Sequence, residues 1–289
     1  MLSEKNAAVV ANLFYTLDIG VRDQLAKRLI TSERDYVSAL AHNFRHPFGL
    51  FNNYVVGDLK FEATWTARSN DGSSEQAFGC DSMIVFQVKD KVKVCLFEAK
   101  WPRVVIDSTY SWDSLQKSSK KSHFTDQINR QAEWANEAAI WEMFFLEERP
   151  NTIKKPFDKY GSTCVKHKFA KAYIDGPHVP STIWDNTDLE RLINSSLTDA
   201  YTGIGQSNLH ELIIDVLTCK FGQAIEIEPS DSFFELTSAS GKQVRVPVPN
   251  LGLSENRPFI LEEFMGEYGL SFFQYMNISQ KEDGKAPTE

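Results

Sequence analysis

The stretch Gly79-Cys80-Asp81-Ser82-Met83-Ile84-Val85-Phe86, followed by Val94-Cys95-Leu96-Phe97-Glu98-Ala99-Lys100, decides the fold class. Two apolar runs flank the polar Lys89-Asp90-Lys91, which predicts two strands joined by a turn. Successive side chains of a strand point to opposite faces, so Glu98 and Lys100 share one face. With the turn at 89–91, Asp81 lies opposite residues 98 to 100. Two carboxylates and one ammonium then converge at the open end of the hairpin. The runs Met83 to Phe86 and Leu96-Phe97 mark the hairpin as buried, and a buried charge needs a partner or a metal. The plainer alternative is a surface hairpin with a weak Glu98–Lys100 ion pair.

Such a cluster has the parts for phosphodiester chemistry. Mg²⁺ takes oxygen ligands, commonly one or two carboxylates completed by water and substrate phosphate. Asp81 and Glu98 offer the carboxylates, and the Ala99 carbonyl between the two strand side chains offers a backbone oxygen. A bound metal polarises a phosphoryl oxygen and acidifies a water. Lys100 is placed to orient that water or to stabilise charge on the phosphate. The pattern of Asp81, sixteen residues, then Glu98-Ala99-Lys100 resembles the PD-(D/E)XK nuclease superfamily, which includes restriction endonucleases and RecB-like exonucleases. The resemblance spans residues 30 to 175, with Cys80 standing where the name-giving proline would be. It implies an α/β core with the motif on a central hairpin of a mixed sheet between helices. It further implies Asp81 and Glu98 as ligands of Mg²⁺ or Mn²⁺, Lys100 as the catalytic lysine, and DNA as substrate.

Ser32 with Asp35 fits a helix start, and Val37, Leu40, Ala41 and Phe44 form its apolar face. Glu33 lies on the same face. It is either an acid favoured by the helix dipole or, as the resemblance implies, an outer acid of the metal site. A second amphipathic helix runs from His123 to Trp134, with Phe124, Ile128, Ala132 and Ala135 on its core side. Gln127 and Gln131 on it read as exposed polar residues. The alternative is a loose match to the glutamine that RecB-like nucleases carry after the lysine strand. Lys117, Lys120, Lys121, His123 and Arg130 form one basic set, and Lys154, Lys155, Lys159, Lys166, Lys168 and Lys171 another. Either set is ordinary solvated surface or the wall of a nucleic-acid cleft, since phosphate contact needs local positive charge. His42 and His46 stand four apart, but no cysteine or acid completes a zinc set beside them.

Composition bounds the answer. The 289 residues are 42% hydrophobic and 24% charged, enough for one large domain or a core with an extension. A net charge of −8 argues against a protein that coats DNA nonspecifically. Four scattered cysteines without a C-x-x-C pair fit a reducing cytoplasm and give no zinc ribbon or redox motif. No signal segment, membrane-length apolar run, Walker loop or dinucleotide glycine fingerprint is present.

The chain divides into a helical segment over 1–30, interrupted at Gly20, a nuclease-like core over 31–178, an α+β extension over 179–279, and a polar tail over 280–289. Within the core, 58–68 reads as a half-buried strand, Ala139 to Leu146 as a buried strand, and Lys168 to Ile174 as a further strand. Residues 107–122 are a substrate-covering segment or a plain loop. The extension holds helices near Leu189 and Leu209, strands over Ile225 to Leu236 and Gln243 to Val248, a helix over Pro258 to Tyr268 and a short strand over Leu270 to Met276. Its expected role is substrate recognition or dimerisation. The expected function is a cytoplasmic Mg²⁺-dependent deoxyribonuclease, serving restriction, defence or repair and plausible as a homodimer. The alternative is an inactive nuclease-fold scaffold that binds a protein or nucleic-acid partner.

Overall fold

The computed structural model describes residues 1–49, 54–68, 77–102, 112–117, 119–145, 161–176, 183–196, 206–228, 230–248 and 257–280. Helix α1 (Glu4–Ala26) is capped by Ser3, whose side chain accepts the Asn6 amide, and buries Val10, Phe14, Val21 and Leu25. The expected break at Gly20 is absent. An interior glycine costs about 1 kcal/mol, less than the ~3–6 kcal/mol gained by burying Val21 and Leu25 beyond it. Helix α2 (Glu33–Gly49) starts where Ser32 Oγ accepts the Asp35 amide at 3.0 Å and runs on through Pro47. Strands β1 (Tyr54–Val56) and β2 (Leu59–Arg68) pair through the turn at Gly57.

The central hairpin is β3 (Ser82–Val88) and β4 (Lys91–Lys100), in register from Val88↔Lys91 to Ser82↔Phe97. Its turn is two residues, Lys89-Asp90, one shorter than expected, with Lys89 at φ 58°. Helix α3 (His123–Gln131) follows, then β5 (Ala139–Phe144) parallel to β4, and β6 (Thr163–Lys166) antiparallel to β5. Helix α4 (His167–Asp175) stands where the sequence predicted a strand over Lys168 to Ile174. His167, Ala170, Tyr173 and Ile174 are its buried face, a spacing of three and four. A short apolar run fits either period, and here the helical one wins.

Helix α5 (Asn186–Ser196), strand β7 (Gln206–Asn208), helix α6 (Leu209–Leu217), strands β8 (Ile225–Glu226), β9 (Phe233–Thr237) and β10 (Gln243–Pro247), helix α7 (Arg257–Tyr268) and strand β11 (Phe272–Gln280) complete the described chain. The stretch expected as one strand over Ile225 to Leu236 is divided: β8 pairs with β4, and β9 pairs with β10 in a separate two-stranded sheet.

The main sheet has the order β1-β2-β11-β3-β4-β5-β6-β7. Strand β11 lies between β2 and β3, antiparallel to the first and parallel to the second. The expected boundary between a 31–178 core and a 179–279 extension therefore does not follow the fold, because a strand from the second part stands in the middle of the sheet. The expected short strand at 270–276 extends to Gln280. The overall class is the expected one, a mixed sheet flanked by helices.

Both faces of the sheet are covered, which explains the unbroken apolar runs of β3 and β4. Cys95, Phe97 and Ala99 of β4 and Trp141 and Met143 of β5 pack with α1, α2 and α6. Leu96 and Ile140 pack with α7, β9 and β10 on the other face. Phe124 and Ile128 of α3 form a third cluster with α4 and α5. By strand alternation Glu98, Lys100 and Glu142 belong to the face of Leu96 and Ile140, at its end under α3.

Candidate functional site

The C-terminal end of β4 opens into a cavity of about 270 Å³. Glu33, Asp81, Glu98 and Lys100 all line it. The hairpin register, continued by one residue, sets Asp81 opposite Glu98. Two tethers from distant sequence hold the Asp81 segment. The Asp81 carbonyl accepts the amides of Ser271 at 2.7 Å and Phe272 at 3.2 Å, at the entry to β11. The Gly79 carbonyl accepts Gln131 Nε2 at 2.9 Å.

Glu98 is 1% exposed. Its Oε1 accepts Lys100 Nζ and Gln127 Nε2, both at 2.6 Å. Its Oε2 is buried and has no hydrogen-bond partner among the described residues. Burial, then the charge of Asp81, pushes the Glu98 carboxyl well above the usual carboxylate range, against the pull of Lys100. Burial works against the Lys100 charge, but Glu98, Glu33 and Asp81 outweigh it and hold the ammonium protonated. Lys100 Nζ also lies 5.7 Å from the centre of the Phe124 ring. Glu33 reaches over from α2, its Oε1 accepting the Trp101 amide at 2.8 Å. The acids Glu33, Asp81, Glu98 and Asp113 line the cavity against the cations Arg34 and Lys100, an excess of acidic side chains.

The other site candidates fall in two groups. Gln127 is not on an exposed face: it is 1% exposed and clamps Glu98. Burying this amide is repaid by its bond to a carboxylate. Lys117, Lys120 and Lys121 are exposed on the turn that Leu115 and Ser122 close beside the cavity, and none of them lines it. Arg130 also does not line it and pairs with Asp126 at 2.9 Å. Lys154, Lys155 and Lys159 fall outside the described residues, as does most of the stretch between Arg103 and Trp112.

Sequence reasoning missed Trp112, Asp113 and Ser271 on the cavity wall and named His123 only as a basic residue. Burial first, then Lys100 and Arg130, lower the proton affinity of His123. Asp113 ties the wall to α3 by accepting the Phe124 amide at 3.0 Å and the Ser122 hydroxyl at 2.5 Å. Glu142 was missed too, although it is a lone acid in an apolar run and sits in register with Glu98 on the neighbouring strand. It accepts Gln131 Nε2 at 3.2 Å, and Gln131 Oε1 lies 2.8 Å from His167 Nδ1.

Among the described residues no three His, Cys, Asp or Glu side chains are grouped to enclose an ion by themselves. Two carboxylates and a backbone carbonyl would be the protein's share of a Mg²⁺ shell that water and phosphate complete. The lone buried Oε2 of Glu98 and the excess of acidic side chains fit such a cation. No helix among the described residues is long and apolar enough to cross a membrane. The chain matches no protein-family model, no curated protein and no solved structure.

Proposed function

We propose that this protein is a metal-dependent nuclease of the PD-(D/E)XK type that hydrolyses phosphodiester bonds of DNA. The observation that carries the reading is the buried Glu98 carboxylate. One oxygen is fixed by Lys100 and Gln127, the other has no hydrogen-bond partner among the described residues, and Glu98 lines a cavity shared with Asp81. With Oε2 unmatched among the described residues, burial raises the proton affinity of Glu98; a divalent cation at that oxygen would favour the ionised form and satisfy it.

Asp81 and Glu98 would hold Mg²⁺ or Mn²⁺, with the Ala99 carbonyl as a third oxygen. When bound, the metal supplies Lewis-acid polarisation of a phosphoryl oxygen and lowers the pKa of a water. Lys100, held cationic by its carboxylate neighbours, orients the attacking water and meets the charge that grows on the phosphoryl oxygens. Gln127 keeps Glu98 in one rotamer. His123, neutral because burial and nearby cations disfavour its charge, is able to take a proton from that water. The water oxygen bonds to phosphorus, the bond to one ester oxygen breaks, and a phosphomonoester and an alcohol result. Lys117, Lys120 and Lys121 would meet the backbone beside the cavity. A homodimer would set two such sites against the two strands of a duplex.

The test is cleavage of plasmid, linear and single-stranded DNA, and of RNA, with Mg²⁺, Mn²⁺ or EDTA. Wild type runs beside Asp81→Asn and Lys100→Ala. Metal-dependent cutting that both variants lose by at least ~100-fold supports the reading, a typical size for loss of a positioned catalytic group. Cutting that survives in either variant, or that persists in EDTA, refutes it.

A further inference from the structure

A second cavity, of about 480 Å³, lies at the other end of α3. His123 and Gln127 line the first cavity, Gln131 stands between the two, and Ala135 lines the second. Lys166, His167, Lys168 and Lys220 line it together with Phe221 and Gly222, and among the described residues no carboxylate does. In a chain of net charge −8, a cavity whose described wall is basic, apolar and glycine marks a place for an anion.

Its donors come from two segments, 166–168 at the start of α4 and 220–222. Lys168 has no carboxylate partner among the described residues and rests over the Phe169 ring at 4.6 Å. Lys166 and Lys220 pair with Asp215 and Glu4, each at 2.7 Å. Helix α4 begins here with no capping side chain and no acid in its first turn, so its leading amides have no partner within the helix. Lys93 Nζ, buried under the far wall, takes the carbonyls of Phe221, at 2.7 Å, and Gly222. In a trans peptide the N–H points opposite to the preceding carbonyl, so the Gly222 amide is turned away from Lys93. That amide has no hydrogen-bond partner among the described residues. A side chain at Gly222 would collide with the Ala139 backbone at 2.8 Å.

His167 supplies the specific polar contact. Gln131 Nε2 donates to Gly79 O and to Glu142, so Gln131 Oε1 is the acceptor and His167 Nδ1 carries a proton. The ring is 3% exposed, lines the cavity, and keeps only Nε2 for it. Nε2 has no hydrogen-bond partner among the described residues. With the proton on Nδ1, Nε2 is the ring's acceptor and can take the P–OH hydrogen of a phosphomonoester, which a diester lacks; Glu142 Oε1, without a hydrogen-bond partner among the described residues, lies 3.9 Å from Nδ1.

We propose that this cavity binds a terminal phosphate group, that is, a phosphomonoester. Lys166, Lys168, Lys220, the leading amides of α4 and the Gly222 amide offer more donors than the two free oxygens of a backbone diester can accept, whereas a terminal phosphate has three, and Ala138, Ile140 and Phe221 offer an apolar wall to the group that carries it. The site does not depend on the nuclease reading. The phosphate comes either from a free mononucleotide or from the phosphorylated end of a strand.

Calorimetric titration in EDTA tests this with inorganic phosphate, a nucleoside monophosphate, a 5′-phosphorylated oligonucleotide and its unphosphorylated twin. Wild type should bind the first three. Lys168→Glu and Lys220→Glu, at exposed positions that leave the core intact, should each weaken them by about tenfold, the scale of one charge-assisted contact. Glu98→Gln should bind as wild type, which separates this cavity from the first. Equal affinity for the monophosphate and the phosphorylated oligonucleotide assigns the site to a free nucleotide. Tighter binding of the oligonucleotide assigns it to a strand end. No binding of any phosphate, equal binding of the unphosphorylated twin, or unchanged affinity in both charge-reversal variants overturns the proposal.

Discussion

Gly79→Ala isolates the contact that seats the Asp81 segment on α3. Gly79 has φ +67°, and a Cβ there would lie 2.4 Å from the Gln127 carbonyl oxygen and 3.1 Å from the Gln131 amide nitrogen. Ordinary C···O contact begins near ~3.3 Å, so about 0.9 Å of overlap has to be relieved by moving backbone. The left-handed conformation costs an alanine about 1–2 kcal/mol, and overpacking adds about 1–3 kcal/mol. The expected loss is about 2–5 kcal/mol, a large part of a domain's ~5–15 kcal/mol. Gly57→Ala is the control, because Gly57 has φ +60° and nothing within 4 Å of a Cβ. It should lose only the conformational part, about 1–2 kcal/mol. Urea unfolding of both variants gives the difference. The displaced carbonyl belongs to Gln127, so Gly79→Ala should also loosen the clamp on Glu98 and lower any metal-dependent cleavage, while Gly57→Ala should not. If Gly79→Ala is no less stable than Gly57→Ala, the close packing of this segment on α3 is wrong.

Three further outcomes follow from named contacts. Lys93→Met should cost about 2–6 kcal/mol in urea unfolding, since it strands two carbonyls at about 1–3 kcal/mol each; a loss below ~0.5 kcal/mol would contradict their burial. Asp18 is fully buried beneath Tyr36 and Ser162, and burial raises its carboxyl above the unfolded value. Above about pH 4 the unfolded chain has released a proton that the folded one retains, so this group's contribution to stability falls as pH rises through the window between the two values. The stability of wild type minus that of Asp18→Asn should therefore decline with pH there, and a rising difference would reverse the sign of the argument. Finally, Mg²⁺ or Mn²⁺ at 100 times its dissociation constant should stabilise the wild type by about 2.7 kcal/mol and leave Asp81→Asn and Glu98→Gln unshifted in a thermal scan. An equal shift in all three would place the ion elsewhere.

Local signals carried the hairpin and α2. The spacing between Asp81 and Glu98 needs only a short turn to become a contact, and Ser32 with Asp35 marks its helix start without help from the rest of the chain. What could not be read locally depends on partners far away in sequence. Leu270 to Met276 is apolar in any context, but only pairing with β2 and β3 makes it a central strand. Ser271 reaches the cavity by that route. Gln127 and Gln131 looked solvated because amides usually are; their burial follows from the carboxylates of Glu98 and Glu142 beneath them. Lys168 to Ile174 reads as a strand because five apolar residues in seven satisfy both periods.

The position of β11 changes what the C-terminal part is for. Two amides at its start, on Ser271 and Phe272, hold the Asp81 carbonyl, while α3 holds Gly79 two residues earlier. Asp81 is thus fixed from three sides: by the hairpin register across from Glu98, by α3 above and by β11 beside. A carboxylate meant only for solvation needs no such restraint, because flexible side chains solvate well. Restraint from segments nearly two hundred residues apart is what a ligand-binding geometry requires, since sub-ångström placement is lost if any one support is soft. The same reasoning extends to Glu98, whose rotamer is fixed by one cation and one amide, and to Glu33, pinned to the Trp101 backbone. Residues 179–279 are then part of the frame that aims the acids, rather than an addition to it.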